Sequence, residues 1–382
     1  MTLPPLSLYI HIPWCEKKCP YCDFNSHERF DPSLEQPYLE ALKRDLASQV
    51  EWAAGREIAT IFIGGGTPSL FSGDAIADLL DDVRSMLPIA TGAEITLESN
   101  PGSRDAQRYA HYREAGINRL SIGVQSFDED QLQTLGRVHS SSEAFDAIGL
   151  AQQVGFERIN VDLMHGLPGQ SPQAAVNDIG FAISTGVSHI SWYQLTIERN
   201  TAFWSEPPIL PVEDDLQTIN EAGDQTLQKA GFAQYEVSAW AVAEHACLHN
   251  LNYWQFGDYL AIGAGAHGKV TAKDGQIYRF NRTRAPEHYM AQFNQASIIN
   301  SESQLNPITQ SEQLGEFMMN ALRLKEGFDL NLVESRLGIT EDSLRSRCHN
   351  LLERGLLTWV EGHIAPTPLG YQHLDAVIAE FI

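Results

Sequence analysis

The chain has 382 residues, 43% hydrophobic and 20% charged, a mixture that excludes global disorder and suits a large core with one or two smaller units. With 26 basic against 49 acidic side chains the formal charge is −23, which works against nonspecific binding to nucleic acid or anionic lipid, because both polyanions would be repelled. The start, Met1-Thr-Leu-Pro-Pro5, lacks the basic and apolar regions of a signal peptide, and no apolar run reaches bilayer length. With three of five cysteines clustered, the expected compartment is the reducing cytoplasm.

In chain order, strand-like and helix-like runs alternate to about residue 236, the signature of a parallel sheet built from βα units. The predicted strands are Ser7–Ile12, Ile58–Gly64, Glu94–Glu98, Arg119–Val124, Arg158–Leu163 and His189–Leu195. Amphipathic segments such as Ser33–Val50, Gly73–Met86, Arg104–Ala115 and Pro172–Thr185 lie between them. Six units can close into a partial barrel or spread as an open doubly wound sheet. Polar residues at the strand ends favour the barrel, whose mouth would gather the Cys15–Cys22 stretch, Gly64–Pro68, Glu98, Gln125 and Asp162. Residues 1–236 are therefore expected to form an α/β partial barrel.

Pro207–Pro211 turns the chain into a helical segment, Val212–Ala230, followed by a glycine- and aromatic-rich stretch. Residues 237–305 are expected as a connecting region packed on the barrel. Beyond Asn306-Pro307 the pattern is helical over Glu312–Leu324, Leu330–Leu337 and Glu341–Arg354. Leu356–Val360 and His363–Ala365 then flank Gly362 as a hairpin before a last helix. Three helices and a wing suggest a winged-helix-like domain over 306–382, but its acidic balance argues against DNA binding.

The chemistry concentrates in Cys15-Glu-Lys-Lys-Cys19-Pro-Tyr-Cys22, spaced CxxxCxxC directly after the first strand. No fourth ligand follows at a distance suited to a closed zinc site. Three thiolates on a 4Fe-4S cluster leave one iron open to a ligand other than protein. Gly64-Gly65-Gly66-Thr67-Pro68 lets backbone approach a ligand, yet lacks the lysine and spacing of a phosphate loop; as a bare motif it also reads as a tight turn. Glu98 and Asp162 end strands in apolar surroundings, where a carboxylate needs a partner, with Arg137 as a candidate. Paired carboxylates would also suit acid–base hydrolysis, a chemistry with no use for the thiols.

Taken together, Tyr9-Ile-His-Ile-Pro-Trp-Cys15 through Cys22, Gly64–Pro68, Glu98-Ser-Asn-Pro101, Ser121-Ile-Gly-Val-Gln125-Ser-Phe127, Gly136-Arg-Val-His139 and Asn160-Val-Asp-Leu-Met-His-Gly-Leu-Pro168 resemble the radical S-adenosylmethionine (SAM) superfamily. The nearest branch holds the oxygen-independent coproporphyrinogen III dehydrogenase and its heme-chaperone relatives. The resemblance implies a 4Fe-4S cluster on Cys15, Cys19 and Cys22, and SAM contacts from Tyr9, Tyr21, Gly65, Gly66, Thr67, Glu98, Gln125, Arg137 and Asp162. In the dehydrogenase the motif continues as CxxxCxxCxC, whereas Phe24 stands at that place here.

His249-Asn250-Leu251-Asn252-Tyr253-Trp254 matches the HNxxYW motif of the chaperone branch and implies heme on His249. Imidazole is a standard axial ligand of heme iron, and the neighbouring aromatic rings suit a porphyrin face. The implied activity is heme binding and delivery to cytoplasmic or membrane-associated apo heme proteins, with cluster and SAM in structural, assembly or regulatory roles that include formation of a homodimer. Decarboxylation of coproporphyrinogen III is the alternative, and Phe24 counts against it. His267, in its glycine-rich loop, reads as a second heme ligand or as a turn residue, with the turn favoured, and Cys247 and Cys348 read as buried structural thiols.

Overall fold

The computed structural model describes residues 3–28, 30–102, 106–294 and 305–382. The alternating pattern builds six neighbouring parallel strands, Leu6–Ile12, Ile58–Gly65, Ile89–Ser99, Arg119–Gln125, Arg158–His165 and His189–Gln194. Each differs from its predicted range by a few residues at an end, where polar and glycine residues blur the hydrophobic signal. Helices Glu35–Ala47, Gly73–Met86, Ser141–Gln153 and Pro172–Ser184 fill the crossovers. Ser72, Ser140 and Ser171 start three of them by accepting a backbone N–H of the first turn. The helix predicted over Arg104–Ala115 has its start outside the described residues and is helical over Tyr109–Ala115.

The sheet is wider than the six predicted strands. Asp258–Ile262, inside the stretch expected as a connecting region, joins parallel to Leu6–Ile12, and His267–Thr271, Ile277–Asn281 and Asn306–Pro307 follow antiparallel. At the other edge Ala239–Ala241 and Ala233–Glu236 add a hairpin to His189–Gln194, giving a sheet of 12 strands among the described residues. The stretch expected as a connecting region thus contributes strands to both edges; its residues 295–304 lie outside the described residues.

Alternation along each strand separates two environments. Leu8, Ile10, Ile61, Ile63, Leu97, Leu120, Ile122 and Val161 are buried in the main core together with Leu42, Ile76, Leu80, Ile148 and Ile179 of the helices. The alternate residues of the strands are polar and buried: Ser7, Thr60, Thr96, Ser121, Asn160 and His189. Such groups persist because most find partners. Ser7 Oγ lies 2.7 Å from Thr60 Oγ1, and Asn160 Nδ2 donates to Ser121 Oγ at 2.7 Å.

The C-terminal region carries helices Gln310–Ala321, Leu330–Leu337 and Glu341–Glu353 and a three-stranded sheet of Phe328–Asp329, His363–Pro366 and Leu357–Val360. Three helices with a hairpin wing follow the predicted shape. Phe256 and Ile277 of the larger unit join its core of Phe317, Met318, Leu344 and Ile364. No described helix is long and apolar enough to cross a membrane.

Candidate functional site

The loop carrying the clustered thiols is fastened at both ends. Trp14–Cys15 pairs in parallel with His27–Glu28, and His27 N–H donates to the Pro13 carbonyl at 2.7 Å. Buried Trp14 anchors the entry by packing on Tyr38 and Phe71. Within the loop, Cys22 N–H donates to Cys19 O at 3.1 Å, and the Lys18 ammonium donates to the Phe24 and Ser26 carbonyls at 3.0 and 3.3 Å. Cys15, Cys19 and Cys22 are half-buried free thiols. Burial raises the Cys15 and Cys22 thiols above their ordinary range.

The glycine run is stitched to this loop through backbone. Gly66 N–H donates to Ile12 O at 2.8 Å and Thr67 N–H to Trp14 O at 2.7 Å. Gly65 has φ +124°, and a side chain there would meet His11 at 2.7 Å; one on Gly66 would run into the Trp14 carbonyl. Both positions require glycine for close approach of two backbones.

Around one cavity of about 520 Å³ the barrel gathers Cys15, Cys19, Tyr21, Cys22, Gly65, Gly66, Thr67, Glu98, Gln125, Arg137 and Asp162. Every site residue expected from the sequence lines it except Tyr9 and His249. Asn100, Ser121 and Tyr193 also line it, and sequence reasoning had not singled them out. Asn100 sits in a motif already noticed, and its amide ties the parts together. Asn100 Nδ2 donates to Thr67 Oγ1 at 3.0 Å, while its Oδ1 accepts from Arg137 Nη2 at 2.7 Å. Arg137 also donates to Gly123 O at 2.6 Å and to Cys19 Sγ at 3.5 Å, leaving its buried Nε without a partner. Gln125 adopts φ +72°, and its Oε1 accepts from the Tyr193 hydroxyl at 2.6 Å.

The two carboxylates are electrostatically incomplete. Among the described residues Glu98 accepts only from Gly65 N–H at 3.0 Å; burial first, and then nearby Asp162, push its carboxyl up to about 8. Asp162 accepts from Ser121 Oγ at 3.1 Å and Asn160 Nδ2 at 2.7 Å, and burial also raises it. No cation pairs with Glu98 among the described ion pairs, so a ligand that brings hydroxyl, amino or sulfonium groups would relieve the burial cost. That donor set fits SAM. No three cysteine, histidine or acidic groups among the described residues crowd closely enough for a single ion. All three thiols line this one cavity, and a four-iron cluster is a group that takes its thiolates on separate irons.

A second cavity of about 600 Å³ adjoins the first, sharing Phe24, Gly65, Glu98 and Trp254. Its other walls include Tyr9, His11, Tyr253, Phe256, Tyr259, His267, Lys269, Arg279 and Arg284. Tyr9 belongs here, with its hydroxyl 2.9 Å from His11 Nδ1. Phe24, where the dehydrogenase motif would carry cysteine, is 60% exposed at the boundary of the two cavities.

His249 lines neither cavity. It sits in helix Leu248–Trp254 at 1% exposure, with Nδ1 2.7 Å from Thr60 Oγ1 and Nε2 2.8 Å from the Tyr253 hydroxyl. Burial, reinforced by Arg119, lowers its pKa to about 3. Both ring nitrogens are committed, so iron could reach His249 only after this helix opened. Cys247 is likewise buried, with its thiol 3.6 Å from Glu94 Oε1 and its pKa pushed up to about 11 by burial, as an inert thiol requires.

A family model described as Radical SAM superfamily matches residues 9–182, and one described as HemN C-terminal domain matches 308–373. A protein of Escherichia coli K12 named heme chaperone HemW is 48% identical over 382 residues, covering 100% of this chain and 99% of that one. Proteins with the same name from Haemophilus influenzae and Bacillus subtilis are 47% and 33% identical, covering 90% and 98% of this chain and 89% and 99% of their own. The solved E. coli coproporphyrinogen III oxidase HemN, a radical SAM enzyme, superposes with TM-score 0.82 at 21% identity, covering 99% of this chain and 90% of that one. Fold, thiol loop and whole-length similarity converge: the chain belongs to the HemW heme-chaperone family within the radical SAM superfamily.

Proposed function

We propose that this protein binds heme and hands it to apo heme proteins in the cytoplasm. The observation that carries this reading is similarity over the whole length to proteins named heme chaperone HemW. Two features of the site support it. Phe24 replaces the further cysteine of the dehydrogenase motif, and an aromatic, arginine-bearing cavity opens beside the thiol loop.

On this reading Cys15, Cys19 and Cys22 hold a 4Fe-4S cluster, which when bound supplies an open iron and an electron source. Tyr21, Gly65, Gly66, Thr67, Glu98, Gln125, Arg137 and Asp162 receive SAM, while Tyr9, expected among them, lines the neighbouring cavity. The chain's own work is to position. Arg137 offers its free Nε to a carboxylate, and Glu98 and Asp162 accept from hydroxyl or amino groups.

Anaerobically purified protein, loaded with heme and mixed with an apo heme protein, is expected to transfer about one heme per chain, read as movement of the Soret band. Incubation with SAM, a reductant and coproporphyrinogen III is expected to yield no protoporphyrinogen. Accumulation of that product would replace carrier with dehydrogenase.

Glu98 gives a second expectation. A carboxyl with its pKa near 8 is largely protonated at neutral pH, whereas a ligand that donates to it requires the ionised form. Binding therefore releases a proton, and affinity for SAM is expected to rise by up to about tenfold per pH unit between pH 6.5 and 8, then level off. In Glu98→Gln the slope should vanish and binding should weaken. Calorimetric titration at three pH values measures both, and an unchanged slope in Glu98→Gln would remove this carboxylate from the ligand's contacts.

A further inference from the structure

Both histidines that line the 600 Å³ cavity have to be considered as donors to a ligand inside it. His11 is spent: it is buried, with Nδ1 2.9 Å from the Tyr9 hydroxyl and Nε2 2.9 Å from the Asn25 carbonyl. His267 is not. It opens the strand His267–Thr271, directly after the glycine loop Gly263–Ala266, and its exposed ring makes no hydrogen bond among the described residues. The remaining candidates for binding a metal are committed as well. Tyr253 hydroxyl is 2.8 Å from His249, Tyr259 hydroxyl accepts from Arg279, and Lys269 donates to Asp258 at 2.9 Å.

The rest of the cavity suits a flat, apolar ring with acidic edges. Tyr253, Trp254, Phe256 and Tyr259 supply aromatic surface, and a volume of about 600 Å³ lies in the range of cofactor-sized ligands. Arg284 is exposed at the rim, held only by a long 3.3 Å contact to Asn25 Oδ1, and is placed to meet a carboxylate. Arg279 is already engaged by Glu316 at 2.6 and 2.9 Å, so it shapes the wall rather than the ligand's edge.

We propose that heme occupies this cavity with its iron bound by His267 and a propionate on Arg284. This rests on the heme-carrier reading and replaces both the turn assignment of His267 and the ligand role that the sequence resemblance gave to His249. It follows that His249 is a positioning residue: through its bond to the Tyr253 hydroxyl it fixes one aromatic wall of the cavity. Because Phe24, Gly65, Glu98 and Trp254 face both cavities, heme bound here would lie against the proposed SAM site.

The test is hemin titration of the full chain, followed by Soret position and affinity, for wild type, His267→Ala, His267→Gly with added imidazole, His249→Asn and Arg284→Ala. His267→Ala is expected to lose at least tenfold in affinity with a shifted Soret band, and imidazole should restore the wild-type spectrum to His267→Gly. Arg284→Ala should weaken binding several-fold with the band in place. A His267→Ala spectrum and affinity equal to wild type, or a band shift confined to His249→Asn, overturns the assignment while leaving the carrier reading intact. Wild-type protein that binds no hemin overturns the carrier reading itself. Since His267 is exposed, circular dichroism should find its variants folded; His267→Gln serves as a second variant and is expected to behave as His267→Ala.

Discussion

Alanine in place of Cys19 is expected to abolish cluster assembly while leaving the protein folded. On anaerobic reconstitution wild type should take up about four iron atoms per chain and the variant less than one. The effect is large because each thiolate would hold a separate iron, and three is already one short of the usual set. Folding is spared because the loop is held by other means: the strand pair Trp14–Cys15 with His27–Glu28, the Lys18 contacts to two carbonyls, and the Trp14 packing. Cys19 also accepts from Arg137 Nη1, while Asn100 and Gly123 keep holding Nη2, so SAM affinity should fall together with iron content mainly through loss of the cluster. Iron and sulfide analysis with equilibrium SAM binding measures both. Full iron uptake by Cys19→Ala would reject the three-thiol assignment.

Asp258→Ala is expected to cost about 3–5 kcal/mol of stability, the range for breaking one member of a buried ion pair. Asp258 is 0% exposed and accepts from Arg56 Nη1 at 2.8 Å, Lys269 Nζ at 2.9 Å, Thr271 N–H at 2.9 Å and Thr271 Oγ1 at 2.8 Å. Without it Lys269, itself buried, keeps only the Phe256 and Gly257 carbonyls and the face of Phe256. Denaturant unfolding would measure the loss. The double variant Asp258→Leu with Lys269→Met is expected to recover part of it, since it removes the fully buried Lys269 charge together with its partner and leaves only the partly exposed Arg56 without this carboxylate. Although burial alone would raise the Asp258 carboxyl, Lys269, Arg56 and Thr271 hold it below its ordinary value. Its contribution is therefore complete above about pH 4 and is lost as pH falls through the lowered value, so the variant should be less acid-sensitive than wild type.

What could be read from the sequence was local. Three thiols in eight residues, glycines after a strand, and acids at strand ends each announce themselves within a single segment, and the parallel sheet places them around one mouth. What could not be read depends on partners distant in the chain. His249 looked available because its motif is short and aromatic; Thr60, nearly 190 residues earlier, takes one of its nitrogens. The surroundings of His267 are likewise set at a distance: the cavity it lines is walled by Tyr259, Arg279 and Lys269, which are bound among themselves and to Asp258 and Glu316. Asp258–Ile262 escaped as a strand because five residues starting with a buried acid do not alternate visibly. Its stability comes from Leu6–Ile12 and from the ion pairs beneath it.

That last strand sets an order of events during synthesis. Leu6–Ile12 is made about 250 residues before one of its two neighbours and is a central strand in the finished sheet, bordered by Ile58–Gly65 on one side and Asp258–Ile262 on the other. Its second edge has no partner until the chain has grown past residue 262, so an early strand waits for a late one. Contacts of such sequence separation are slow to form, and the open edge is exposed to other chains meanwhile. The thiol loop hangs from that same strand. Its anchor too is therefore incomplete until Asp258–Ile262 has been made and paired.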